Sequence, residues 1–325
     1  MQSEGHIFAE RRGRAGIISL NRPQAMNAID LTMTRAIDRA LDQFQADPAV
    51  EFVLMQSATD RAFCAGCDMR RTRHLLLAGQ IDEAEQFFQE EYALIDKIAR
   101  FPKPYISLID GLCMGGGMGL SMHGKYRIAT ERAVFAMPET SIGFIPDVGG
   151  SYFLPRMPHS SGMWLGLTGA SVRGFDAHGL RISTHMMAAE MAPQLLDELC
   201  FATQSIEQVL SALCASLGYQ ASILALADTT LCFEQPTLDS IVDCLGRSRV
   251  KPPQDALAAL RKASPRSLKE TLTLLREGRF LTLAECLQQE FDAMRRALRH
   301  PDLVEGVRAL LVDKDHKPKW AAPVG

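Results

Sequence analysis

The sequence predicts an α/β core followed by a mostly helical region. Short apolar strands alternate with amphipathic helical stretches through about residue 190. Beyond that point, segments 254–263, 267–276 and 281–299 all carry helical spacing, with Gly278 and Pro301 as stops. No low-complexity linker or internal repeat separates the two parts. The expected division is therefore 1–190 for the α/β core and 191–325 for a helical extension packed on it.

The elements follow in order. Residues 15–20 (AGIISL) form an apolar strand that Asn21-Arg22-Pro23 breaks. Asp30 caps the next helix, whose Ala36, Ile37, Ala40, Leu41 and Phe44 keep to one face until Asp47-Pro48. Residues 52–57 (FVLMQS) form a second strand, and 60–70 has no period and reads as a loop. Over 81–100, Phe87, Phe88, Glu91, Tyr92, Leu94, Ile95 and Ile98 lie on or beside one helix face. Residues 105–110 (YISLID) give a further strand, which runs towards Gly115-Gly116-Gly117 and a helix over about 117–124. Extended runs at 126–130 and 133–137 complete the first part, punctuated by Pro138, Pro146, Gly149 and Gly150.

Bulk chemistry narrows the function classes. Hydrophobic residues make up 47% and charged residues 22% of the 325, the balance of an ordinary globular protein. A net charge of −3 gives no reason to expect nucleic acid or an anionic membrane as partner. No apolar run has the length of a membrane span. The first residues lack the layout of a secretory signal, so a cytoplasmic setting is expected. Eight scattered cysteines fit free thiols better than a disulfide scaffold. Cys64 and Cys67 form a C-x-x-C with no second pair, and His123, His159, His178 and His185 sit at no ligand-like spacing, so no metal is expected.

Three stretches have the residue types that chemistry needs. Glycines at 115–117 after a strand let the backbone approach a ligand and turn helix-start N–H groups towards it. Such groups can hold a developing oxyanion, although tight strand–helix packing needs the same glycines. The loop Phe63-Cys64-Ala65-Gly66-Cys67-Asp68 can supply a second N–H donor, or be a plain surface loop. Glu139 and Asp147 stand in an apolar stretch with several prolines and glycines, where a carboxyl gains a raised pKa and becomes a usable acid or base. A surface glutamate and a turn aspartate would read the same way.

In combination these segments resemble the crotonase, or enoyl-CoA hydratase/isomerase, superfamily. The matching runs are NRPQAMNAI at 21–29, AFCAGCD at 62–68, MGGGMGL at 114–120 and MPETSIG at 137–143. Within it the chain is similar to the branch of thioester hydrolases, through FFQEEY at 87–92, AMPETSIGFIPDVGGSYFLPR at 136–156 and EGVRALLVDKDHKPKW at 305–320. The resemblance covers nearly the whole chain.

It implies a crotonase-like spiral of ββα units with a helical C-terminal region. It implies hydrolysis of a short 3-hydroxyacyl-CoA, with enoyl-CoA hydration or isomerisation as the alternative. By the family pattern the carbonyl oxygen lies between the N–H groups of Cys67 and Gly116, Glu139 and Asp147 are the catalytic acids, and Glu91 contacts substrate. Hydratases carry a second glutamate just after the glycine run, where this chain has Gly119, and usually have glycine where it has Asp147. The hydrolases usually have glycine in place of Cys67, so the thiol bears on pocket size. The implied partner is a small acyl-CoA, with coenzyme A part of the substrate and no separate cofactor. Family members usually assemble as homo-trimers or hexamers.

Overall fold

A computed structural model describes residues 2–4, 6–214 and 222–322, with side chains over 6–214 and 227–322. The strands are β1 (Gln2–Glu4), β2 (Ile7–Arg12), β3 (Ala15–Leu20), β4 (Phe52–Ser57), β5 (Ala62–Cys64), β6 (Tyr105–Ile109), β7 (Leu112–Met114), β8 (Tyr126–Thr130), β9 (Val134–Ala136), β10 (Ser171–Arg173) and β11 (His185–Met187). A seven-stranded sheet runs β1-β2-β3-β4-β6-β8-β11, and a four-stranded sheet runs β10-β9-β7-β5. Pairing in the larger sheet is antiparallel from β1 to β3 and parallel from β3 onward. Every residue of β6 is buried, as befits a parallel strand covered on both faces.

The described residues fall into two compact units, one within Met1–Cys67, Ala93–Phe135 and Val172–Gln220, the other within Asp68–Tyr92, Ala136–Ser171 and Ala221–Gly325. In the first, Ile17, Leu54, Ile106 and Ile128 of the larger sheet pack with Leu195, Leu199 and Leu210 from the helices Ala192–Phe201 and Ile206–Leu213. The predicted helix after Asp30 is Leu31–Ala46, and the Asp30 carboxylate accepts the Met33 N–H at 2.9 Å.

The second unit is helical. Ser264 caps Pro265–Gly278, with proline at the first helical position where its missing N–H costs nothing. Leu283–Leu298 begins with a reciprocal cap: the Thr282 hydroxyl accepts the Glu285 N–H, and the Glu285 carboxylate accepts the Thr282 N–H. Among the described residues, no helix is long and apolar enough to cross a membrane.

Two expectations are corrected. The stretch 60–70 is not one loop: Ala62–Cys64 is a strand pairing parallel with β7, and the helix Met69–Leu77 starts at 69, capped by the Asp68 side chain. Three wholly buried residues are too few to show an alternating pattern. Nor are all the cysteines free. Cys232 and Cys244 form a disulfide, because the short connection between Ser222–Cys232 and Leu238–Gly246 brings their Cα atoms to 5.4 Å.

Candidate functional site

The donor turn lies in the first unit. Asn27, fully buried, donates to the Ala62 and Phe63 carbonyls and to Ser57. The Ala65 N–H donates to the Met26 carbonyl and the Ile29 N–H to that of Gly66, so the 62–67 stretch is fastened from one side by the 26–29 segment. Gly66 has φ +100°, a conformation that strains any residue with a Cβ. A Cβ built there would lie 3.1 Å from the Met114 carbonyl oxygen and 3.6 Å from the Gly116 nitrogen. The stretches carrying Cys67 and Gly116 are thus neighbours. Gly115 precedes the helix Gly116–Met122 with no side-chain cap, so the first N–H groups have no acceptor inside the helix. Gly116 is buried and Cys67 half-buried.

The predicted acids meet in the second unit. Glu139 opens the short 3₁₀ turn Glu139–Ile142, packed behind by Thr140, whose hydroxyl donates to the Leu167 carbonyl. It is 7% exposed, and its Oε2 is buried without a hydrogen-bond partner among the described residues. Burial, then the charge of Asp147 and then that of Glu91, hold its carboxyl well above the usual range. Asp147 is 1% exposed, and its Oδ2 accepts the Tyr92 hydroxyl at 2.7 Å. Burial pushes the Asp147 carboxyl up to about 7, against the pull of that hydroxyl. Tyr92 itself is held well above its ordinary value by burial and by Asp147, so it remains a donor. Glu91, also buried, adds its charge to both Glu139 and Tyr92. Two acids pushed upward this way are suited to giving and taking protons in the reaction.

Sequence reasoning passed over two residues of this cluster. Tyr92 counted only as part of a helix face. Glu290 was missed altogether, although it is fully buried and lies close enough for Asp147 to raise its pKa. Its signal was present: a carboxylate between Cys286, Leu287, Ala293 and Met294 on the apolar face of a helix. Among the described residues, no three of histidine, cysteine, aspartate and glutamate are placed to hold a metal ion.

A buried acid pair and a glycine-borne donor turn are the parts that the crotonase resemblance implies, and comparison with known proteins bears on it directly. The sequence profile of the enoyl-CoA hydratase/isomerase family matches residues 15–324. The chain belongs to the crotonase family. The rat protein named 3-hydroxyisobutyryl-CoA hydrolase, mitochondrial, is 41% identical over 323 residues, covering 97% of this chain and 84% of its own. The human protein of that name is 37% identical over 328 residues, with 97% and 83% covered. Among solved crotonases, a carnitinyl-CoA dehydratase from Mycobacterium thermoresistibile superposes with a TM-score of 0.91 at 32% identity, covering 97% of this chain and 91% of its own. An enoyl-CoA hydratase from Rhodobacter sphaeroides 2.4.1 gives 0.89 at 35%, covering 98% and 93%. The crotonase fold is accordingly present from the first strands through the C-terminal helices.

Proposed function

We propose that this crotonase hydrolyses short 3-hydroxyacyl-CoA thioesters, with 3-hydroxyisobutyryl-CoA as substrate, giving 3-hydroxyisobutyrate and free coenzyme A. The observation that carries this reading is the pairing of two buried acids, Glu139 and Asp147, in a chain that has Gly119 where a hydratase has its second glutamate. The names of the relatives at about 40% identity support it.

The mechanism uses main chain and side chains differently. The N–H groups of Cys67 and Gly116 hold the carbonyl oxygen as it gains charge, each contributing roughly 3 kcal/mol to the transition state. Glu139, with an unpaired buried oxygen, takes a proton from water as the water oxygen attacks the carbonyl carbon. The tetrahedral intermediate then collapses, the C–S bond breaks, and the thiolate of coenzyme A leaves and collects a proton. On the alternative route the Glu139 carboxylate attacks first, the C–S bond breaks and the thiolate of coenzyme A leaves and collects a proton, giving a mixed anhydride that water opens to the acid and the free carboxylate. Asp147, steadied by the Tyr92 hydroxyl, orients the water or the substrate hydroxyl, and Glu91 helps bind the polar end of the acyl group. Coenzyme A enters as part of the substrate and leaves as the free thiol, with no further cofactor in the cycle. Single turnover in heavy-oxygen water tests the anhydride route: label entering Glu139 supports it, whereas label in the product alone fits direct attack by water or opening of the anhydride at its acyl carbon.

A place in valine breakdown, a cytoplasmic setting and a trimeric or hexameric assembly belong to the same proposal. Fractionation and light scattering test the last two. The decisive experiment is thiol release from 3-hydroxyisobutyryl-CoA with crotonyl-CoA hydration run in parallel. Rapid release with negligible hydration is expected. Hydration without release would establish the alternative chemistry and overturn the argument from Gly119.

A further inference from the structure

Glu290 holds the turn that presents Asp147. It projects from the middle of the helix Leu283–Leu298, and its Oε2 accepts the Gly149 N–H at 2.8 Å. Its Oε1 accepts both the Ser151 N–H at 2.8 Å and the Ser151 hydroxyl at 2.5 Å. Between Asp147 and these anchors the backbone is strained. Val148, a buried β-branched residue, has φ +53°, and Gly149 has φ +82°. A β-branched residue in that region is a rare outlier that persists only where its surroundings impose it. The next residue of the same helix, Phe291, stacks edge-on against Tyr92 at 6.3 Å, and Tyr92 donates to Asp147. One helix therefore reaches the Asp147 carboxyl from two sides, through its loop and through its hydrogen-bond donor.

We propose that Glu290 is a positioning residue for Asp147, clamping the strained 147–151 turn from the helix Leu283–Leu298. The proposal rests on the hydrolase reading only for its kinetic consequences. Burial pushes the Glu290 carboxyl up to about 8, with the Ser151 and Gly149 hydrogen bonds pulling down and the charge of Asp147 pushing up. The groups facing the pair are Glu91 and Tyr92 on Ile81–Ala99, Glu139 on its 3₁₀ turn, and Cys286 one turn before Glu290. Neighbouring charges are paired elsewhere. Glu85 meets Arg295 and Arg299, Glu270 meets Arg266 and Arg296, and Glu277 accepts from Gln289. Arg156 and Glu285 act on Cys286. Glu139 and Glu290 both feel the charge of Asp147, so the carboxyls of the cluster lose their protons in shared steps.

The test follows the Asp147 carboxyl carbon by ¹³C NMR across pH, assigned by its loss in Asp147→Asn, together with the pH profile of thiol release. In Glu290→Gln the Asp147 curve shifts, and kcat falls about tenfold to a hundredfold while KM stays within about threefold, as loosened orientation predicts. Ser151→Ala keeps the carboxyl but removes one of the groups it holds, so the curve shifts less and kcat falls less. That variant carries the test if Glu290→Gln does not fold. An Asp147 curve that Glu290→Gln leaves unchanged, or wild-type kcat in Glu290→Gln, overturns the proposal. A shifted curve in Glu290→Gln with no thiol release by the wild type leaves the clamp standing and sinks the hydrolase reading instead.

Discussion

The donor turn and the acid cluster solve opposite problems. At 62–67 and 114–117 the working groups are main-chain N–H, and what matters is that nothing intrudes on them. At Glu91, Tyr92, Glu139, Asp147 and Glu290 the working groups are side chains, and what matters is how thoroughly water and counter-charge are kept away. The first site should tolerate changes of side-chain chemistry and fail on changes of volume. The second should do the reverse.

The largest break is Glu139→Gln, which keeps volume and removes the proton acceptor. Thiol release should fall about 10²–10⁴-fold while calorimetry shows that acyl-CoA still binds. Retained turnover would take Glu139 out of the chemistry. Next is Gly117→Ala. Its Cβ would meet the Cys64 carbonyl oxygen at 2.5 Å and the Cys64 Cβ at 2.8 Å, so the backbone of the donor turn must move. A rate loss on the order of a hundredfold is expected. The urea midpoint should fall too, since overpacking costs about 1–3 kcal/mol. Wild-type kinetics in this variant would separate the turn from the reaction.

A smaller effect sharpens the contrast through pH. The carboxyls of Glu139, Asp147 and Glu290 sit above their unfolded values, so the folded state binds more protons than the unfolded chain. Their contribution to stability is fully present below about pH 4, the unfolded carboxyl range, and is lost as pH rises through about 7 to 8. Urea midpoints should decline over that window, and Asp147→Asn should flatten the decline. A midpoint rising with pH in that window and unaltered in Asp147→Asn would mean that these carboxyls titrate normally. The smallest effect is Cys67→Ala, where the N–H survives the change. Turnover should stay within about threefold, and a loss approaching that of Glu139→Gln would make the thiol a participant.

The same contrast explains what the sequence made legible. Strands 15–20 and 52–57, the cap at Asp30 and the helix 81–99 were readable because each is local, a period or a punctuating residue. The glycines of the donor turn were readable for the same reason. The helix Ser161–Thr168 was not, since all but its last residue are buried and no polar face marks a period. Glu139 and Asp147 lie only eight positions apart and could be paired. Glu290 lies about 140 residues further on, and only tertiary packing brings it to Gly149 and Ser151. Likewise the Cys232–Cys244 link depends on a turn between two helices that spacing alone does not announce.

The placement of Glu290 and Phe291 on one helix has a consequence for protein engineering. Transplanting the 136–156 stretch into a shorter scaffold would deliver two acids and a twisted loop with nothing to brace them. A workable graft has to include Leu283–Leu298 with its Thr282 cap, so the smallest exchangeable module joins two separate segments of the second unit.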